Sequence, residues 1–152
     1  MAADVLNLGA GNRIVKGAVN HDLRKHRPEI AVAWDLDRLP WPWADSAFDR
    51  ILAISVLEHL QLTLIQSVDE CWRILRPRGQ LYVKLPVWSH ENAYLDPTHR
   101  WRFSPRTLNI FDPATRYGRQ YGFYTPRKWR IIKPARLNRA RSSFIATLEV
   151  CK

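Results

Sequence analysis

Apolar residues in this chain gather into short runs that end on Gly, Asp or Pro, with polar connectors between them. Runs of this length, bounded by turn-forming residues, mark buried strands. By that pattern residues 4–9 (DVLNLG), 18–22 (AVNHD), 30–35 (IAVAWD), 48–55 (FDRILAIS) and 80–86 (QLYVKLP) read as five strands. Between the last two the period changes. Leu64, Ile65, Val68, Cys71, Trp72 and Leu75 recur at three- and four-residue steps, giving the single apolar face of a helix over 62–75. Pro77, Arg78 and Gly79 then stop it. A strand, a helix and a strand within 39 residues predict a right-handed parallel crossover. Two further β-like runs, 128–134 and 143–150, are joined closely enough at 137–141 for an antiparallel hairpin. The connectors between the first three strands are too short for full helices. The pattern therefore predicts an α/β chain with a minimal doubly wound, Rossmann-like fold, a mostly parallel sheet closed by a C-terminal antiparallel hairpin.

Length and composition narrow the class. A chain of 152 residues suits one domain, here 1–152, with one core. With 46% apolar residues, burial offsets chain entropy, which excludes a disordered chain. No apolar run approaches the roughly 20 residues that span a bilayer. The opening Met1, Ala2, Ala3 and Asp4 lack the basic and then apolar order of a signal peptide. Cys71 and Cys151 stand 80 positions apart in apolar contexts and read as buried free thiols rather than a disulfide. These features together predict a cytoplasmic protein.

The net charge of +10 is unevenly spread. Residues 1–95 hold 11 Lys/Arg and 11 Asp/Glu, whereas residues 96–152 hold 13 and 3. Such local basicity fits an anionic partner (nucleic acid, a phosphorylated metabolite or a membrane surface) or a solvated face. Arg100, Arg102, Arg127 and Arg130 are the cations expected to flank a cleft. Arg136, Arg139 and Arg141 fall on the hairpin turn and are expected only to solvate it.

Chemistry concentrates where the first strands end. Gly9 and Gly11, spaced by Ala10, let backbone approach a ligand without a Cβ in the way, at the mouth of a parallel sheet. Asp22 ends the second strand, where a carboxylate accepts from both hydroxyls of a ribose. Asp35 ends the third, where a carboxylate accepts from an exocyclic amine. Each residue alone is as well explained by an ordinary turn; their meeting at one sheet edge is what points to a nucleoside.

Residues 5–11 (VLNLGAG) resemble the first signature of the class I S-adenosylmethionine-dependent methyltransferases, in the type 11-like branch. Residues 35–49 (DLDRLPWPWADSAFD) are similar to the stretch of acidic residue, Leu-Pro and then Ser-x-Phe-Asp in that family. Residues 55–60 (SVLEHL) resemble the segment after its fourth strand, and 75–81 (LRPRGQL) the turn before its fifth. Residues 96–100 (DPTHR) look like a segment of one branch, placed after the fifth strand. The four ordered motifs cover about residues 4–86.

The resemblance implies S-adenosylmethionine as cofactor, with a cofactor half at about 1–86 and an acceptor loop with the basic C-terminal part at about 87–152. It implies that Gly9, Ala10 and Gly11 line the methionine and ribose portions, with Asp22 and Leu23 at the ribose. Asp35 would receive the adenine amine, the Leu36 backbone would meet the ring, and Ile54 and Ser55 would flank the methionyl end. Asn7, counted among the cofactor-binding residues, stands where the family has an acidic residue, and Asn12 where it has a third glycine. The N-terminal helix that often caps the acceptor pocket has no counterpart here. Two expectations follow: modest affinity, or a partner chain, such as a second copy in a homo-oligomer, that completes the acceptor site.

Methyl transfer from a sulfonium is an in-line displacement whose reactivity belongs to the cofactor. The protein has to hold acceptor and methyl aligned at about 3–3.5 Å, and a base is needed only for an acceptor proton of high pKa. His59 and His99 are the catalytic candidates, with an Asp96–His99 pair expected within the polar loop. Each histidine has a structural alternative as a backbone-bonded residue. Trp88, Tyr94, Trp101 and Phe103 surround this loop, either as stacking faces for an acceptor beside Arg100 and Arg102 or as a small satellite core.

Three functions remain in view. The favoured one is methylation of a small molecule or saccharide. RNA or other nucleic-acid methylation through the basic part is the second, although no Asn/Asp-Pro-Pro-Tyr segment for exocyclic base nitrogens follows the fourth strand. The third is an S-adenosylmethionine-binding protein without turnover. A nicotinamide-binding protein fits poorly, because the third glycine and the acidic residue about 20 positions on are both missing. No metal site is predicted.

Overall fold

The computed structural model describes residues 4–152; the start read above against a signal peptide, residues 1–3, lies outside them. Strands β1 (Val5–Leu8), β2 (Val19–Asp22), β3 (Val32–Ala33) and β4 (Phe48–Ile54) precede helix α1 (Leu64–Ile74) and strand β5 (Leu75–Pro86). Short helices α2 (Asn92–Leu95) and α3 (Arg116–Tyr121) then lead to β6 (Lys128–Leu137) and β7 (Ser143–Cys151). All seven strands form one sheet in the order β3-β2-β1-β4-β5-β7-β6. The first five run parallel, and β7 returns antiparallel between β5 and β6. This is the expected mostly parallel α/β sheet with its C-terminal antiparallel pair.

Alternation along the central strands decides which face is covered. Ile51, Ala53, Leu81, Val83 and Leu85 are buried and share one core with Val68, Cys71 and Ile74 of α1. Gln80, Tyr82 and Lys84, pointing the other way, are only half-buried. Helix α1 starts at a capping box in which Thr63 and Gln66 satisfy each other's backbone N–H, fixing its first turn. Among the described residues α1 is the only helix longer than six residues, and none is long and apolar enough to cross a membrane.

Several expected boundaries move. The third strand shrinks from 30–35 to two residues, because the Trp34 carbonyl turns to meet His21 Nε2 at 2.9 Å and Asp35 opens a turn closed by Arg38 N–H. Pro77, Arg78 and Gly79 do not stop the helix, which ends at Ile74 as Leu75 turns extended. They form an irregularity inside β5 instead, with Arg78 at φ 63° and the pairing with β4 jumping from Phe48–Leu75 to Arg50–Gln80. Strand β6 runs on through Pro134 to Leu137, which an edge strand tolerates because it has no ladder bond to lose on its open side. Cys71 is buried, but Cys151 is exposed at the end of β7, against the expectation that both are buried.

The hairpin register overturns the charge assignment. Pro86 pairs with Ser143 and Gln80 with Glu149, so the 138–142 turn stands at the C-terminal end of β5, the end that carries Gly9 and Ser55. Arg130 sits opposite Glu149 at the other end and is bound to its carboxylate. Arg127 spends its guanidinium on the Asp69 carbonyl and over the Trp72 ring. Arg127 and Arg130 therefore do not flank the cleft, whereas Arg136 and Arg139 stand beside it.

Candidate functional site

Residues 9–13 fold back on the end of β2. Ala10 N–H reaches the His21 carbonyl at 2.8 Å, Gly9 N–H reaches His21 Nδ1 at 3.3 Å, and Gly11 N–H reaches Asp22 Oδ2 at 2.6 Å. Gly9 has φ +56°, and a Cβ there would lie 2.6 Å from Val56 Cγ2, so the residue must be glycine on two counts. Asp22 Oδ1 also accepts from Leu23 N–H at 2.7 Å. These bonds aim the carboxylate, and each oxygen retains a lone pair for a ligand hydroxyl.

Asn7 does not line this surface. It is 2% exposed, and its Nδ2 donates to the Arg13 carbonyl at 2.7 Å and to Asn20 Oδ1 at 2.9 Å. It braces the loop from below. A neutral amide suits that place, since it donates twice where a carboxylate only accepts.

Three hollows follow one another, each sharing a lining residue with the next. The first, about 180 Å³, is lined by Gly9, Asp22, Leu23, Asp35, Leu36 and His59, among others. The second, about 510 Å³, runs along Gly9, Ala10, Gly11, Ile54 and Ser55. The third, about 210 Å³, is lined by Ser55, Glu58, Lys84, His99, Asn138 and Ser142. Gly9 is common to the first two and Ser55 to the last two. Ser55 itself holds φ 54°, a conformation that costs a non-glycine residue about 1–3 kcal/mol and persists only where its surroundings impose it. Its N–H is held by the Lys84 carbonyl at 3.1 Å.

Two residues outside the expected set fix the end lined by Asp22 and Asp35. Asp37 Oδ1 accepts from Gln61 N–H at 2.6 Å and Leu62 N–H at 3.1 Å, tying the loop of Asp35 and Leu36 to the segment after β4. His21 bridges Gly9 and the Trp34 carbonyl; burial holds its imidazole below the ordinary histidine pKa, partly offset by the Trp34 bond and by Asp22. A lone His or Asp inside a strand-and-turn pattern carries no signal for either role.

At the far end, the segment after β4 and the polar loop are stitched together. Arg100 N–H reaches the Glu58 carbonyl at 2.7 Å, and Trp101 Nε1 reaches the Leu60 carbonyl at 2.8 Å. This brings His59 and His99 to ring centroids 4.7 Å apart. The expected Asp96–His99 side-chain pair does not form. Asp96 Oδ1 instead accepts from the Thr98 N–H at 2.8 Å and hydroxyl at 2.7 Å, and Thr98 Oγ1 lies 2.7 Å from His59 Nδ1. The Asp96 carboxyl is held below its ordinary range by those two Thr98 bonds. Burial, and then the neighbouring His99, hold His59 low as well.

Glu58, 1% exposed, was not among the expected site residues. Burial pushes its carboxyl up to about 7, and its Oε2 has no hydrogen-bond partner; the buried Nδ1 of His99 also has none. The aromatics divide: Phe103 is buried, Trp101 is anchored to Leu60, and Trp88 and Tyr94 stay exposed, Tyr94 lying 4.5 Å beneath the Arg102 guanidinium.

Residues 10–83 match the family described as a methyltransferase domain. No curated protein matches the chain in sequence. Among solved structures, an S-adenosylmethionine-dependent methyltransferase from Archaeoglobus fulgidus is similar over 96% of this chain and 85% of its own, at 14% identity and a TM-score of 0.64. The 1,6-didemethyltoxoflavin-N1-methyltransferase of Burkholderia thailandensis, with bound 1,6-didemethyltoxoflavin and S-adenosylhomocysteine, is similar over 99% of this chain and 72% of its own, at 15% identity and a TM-score of 0.63. A Haloferax volcanii protein in complex with the Trm112 methyltransferase activator is similar over 99% and 83%, at 16% identity and 0.64. At these identities the likeness is one of fold.

Proposed function

Because residues 10–83 match the methyltransferase-domain family, we propose that this chain is an S-adenosylmethionine-dependent methyltransferase that transfers a methyl group to a small polar acceptor carrying an anionic group, a saccharide phosphate being one such molecule. The observation that carries this reading is the sharing of Ser55 between the glycine-loop groove and the 210 Å³ pocket. The residues present fit the cofactor: a cradle at Gly9 that admits no Cβ, a ribose-type carboxylate at Asp22 and a second carboxylate at Asp35.

The cofactor supplies an electrophilic methyl on a sulfonium. The chain's own residues do the rest. Gly9, Ala10, Gly11, Ile54 and Ser55 lie along the methionyl stretch, Asp22 and Leu23 at the ribose, and Asp35 and Leu36 at the base. His59, on the hollow of Asp22 and Asp35, and His99, on the hollow beyond Ser55, are the catalytic pair. Lys84, with Arg136 and Arg139 around the neighbouring hollow, supplies positive charge for an acceptor phosphate or carboxylate. The size of the pocket and the spending of Arg127 and Arg130 at the opposite end of the sheet favour a small acceptor over a nucleic-acid strand, whose phosphates need a continuous basic track.

The test is calorimetry with S-adenosylhomocysteine, followed by release of S-adenosylhomocysteine from the cofactor with panels of sugar phosphates, phosphorylated metabolites and RNA. One-to-one binding and turnover on an anionic small molecule are expected. No S-adenosylhomocysteine binding overturns the enzymatic reading, and turnover on RNA alone overturns the acceptor class.

A further inference from the structure

We propose that Glu58, His59 and His99 together hold one divalent transition-metal ion between the pocket that Glu58 and His99 line and the hollow that His59 lines. Each residue offers one ligand atom, and the three atoms lie within 4.8 Å of one another. Ligands at about 2.0–2.2 Å around a tetrahedral zinc stand roughly 3.4 Å apart, so the cluster is one small contraction away from coordination.

Two of the three residues carry a buried polar atom without a use in the fold. Glu58 Oε2 and His99 Nδ1 have no hydrogen-bond partner, where a buried carboxylate or imidazole nitrogen ordinarily finds one. The third is prepared differently. His59 Nδ1 is committed to Thr98 Oγ1 at 2.7 Å, and Thr98 is committed to Asp96 at 2.7 Å. The carboxylate can only accept, so the threonine hydroxyl donates to it and accepts from His59. That leaves Nε2 of His59 as the free nitrogen, and a ring oriented through its other nitrogen is how metal-ligating histidines are set. The two stretches that bring the ligands are pinned to each other by Arg100 N–H on the Glu58 carbonyl, so the triad is held by backbone as well as by side chains.

Two imidazoles and one carboxylate select a borderline ion such as zinc, cobalt or iron(II) over magnesium or calcium, which prefer all-oxygen sets. Lys84 lines the same pocket and is the cation such an ion has to tolerate. Three protein ligands leave positions for water or an acceptor oxygen, whose proton the ion makes more acidic. The site stands on geometry; the use made of it rests on the methyl-transfer reading above.

The experiment titrates Co²⁺ into chelator-treated full-length protein, following visible d–d absorption and, in parallel, Zn²⁺ calorimetry. One equivalent is expected, with the spectrum abolished by Glu58→Gln and by His99→Gln in variants whose circular dichroism is unchanged. Thr98→Val keeps all three ligands but releases the His59 ring, and should weaken binding roughly 10–100-fold; it keeps the proposal testable if a ligand variant fails to fold. Sub-stoichiometric uptake by the wild type overturns the site, as does a spectrum that survives both ligand variants. S-adenosylhomocysteine calorimetry without metal separates the two readings: loss of nucleoside binding with Co²⁺ uptake intact overturns the methyl-transfer reading alone, and the reverse result overturns the metal site alone.

Discussion

His59 Nδ1 stands 2.7 Å from Thr98 Oγ1, and the two residues come from segments 39 positions apart in the chain. Because Thr98 is already donating to Asp96, its oxygen takes a proton-bearing nitrogen, and the imidazole is fixed in the Nδ1–H tautomer with Nε2 toward the cleft. In nitrogen-resolved NMR of metal-free protein at neutral pH, His59 should show a single tautomer with Nε2 unprotonated. Thr98→Val should give a mixture of tautomers. An unchanged spectrum in the variant would remove Thr98 from the role of positioning residue.

Asp22 is expected to carry the hold on the ribose. Asp22→Ala should weaken S-adenosylhomocysteine binding by roughly 1.5–3 kcal/mol, the size of hydrogen bonds to a charged group. Part of that loss will come through the loop, because Gly11 N–H loses its 2.6 Å acceptor. Calorimetry on a folded variant with undiminished affinity would displace the ribose from this carboxylate.

The two glycines of the loop should differ in what they cost when replaced. Gly9 and Gly11 both hold positive φ, so alanine is strained at either by about 1–2 kcal/mol. At Gly9 the new Cβ also meets Val56 Cγ2 at 2.6 Å, whereas at Gly11 nothing lies within 4 Å. Overpacking of that kind adds roughly 1–3 kcal/mol. Urea unfolding should therefore rank Gly9→Ala well below Gly11→Ala; equal losses would contradict the close approach of the loop to the segment after β4.

Acid should loosen the nucleoside end through His21. Burial lowers its pKa from the ordinary value near 6.5, so above that pH both folded and unfolded chains carry it neutral. As pH falls below about 6.5, the unfolded chain takes up a proton that the folded one refuses. Stability is then lost until the folded group titrates. Protonation would also fill the Nδ1 lone pair that receives Gly9 N–H. Denaturant curves at pH 7 and pH 5 should show a larger loss for the wild type than for His21→Gln. Equal losses would mean that other groups set the acid limit.

Much of this was written in the local pattern and some of it could not be. The Gly9-Ala10-Gly11 turn, Asp22 and Asp35 were legible because each ends a short apolar run, and parallel strands necessarily bring such ends to one edge. Asn7, Glu58 and Thr98 were misjudged or overlooked because their roles depend in part on distant partners, Asn20 for Asn7 and the meeting of His59 with the polar loop for the other two. The same holds for the arginines. Sequence placed Arg136 and Arg139 on a turn, which holds for Arg139 but not for Arg136, a strand residue of β6 paired with Ile145; only the pairing of Pro86 with Ser143 tells which end of the sheet that turn occupies. Long-range register, not residue type, was the missing information.

The antiparallel return of β7 divides labour along the chain. Residues that would grip the donor lie almost wholly between Gly9 and Ser55, whereas the rim of the proposed acceptor pocket is drawn largely from Lys84, His99 and the turn at Asn138 and Ser142. That turn hangs from the strands on either side by its own bonds, with Asn138 Oδ1 accepting from Ser142 and Ser143 N–H. Lengthening or exchanging it would remodel the opening without disturbing the strands that shape the nucleoside end. A library confined to residues 138–142 is thus the shortest route to redirecting which molecule this scaffold accepts, with donor affinity as a built-in constant for comparing its members.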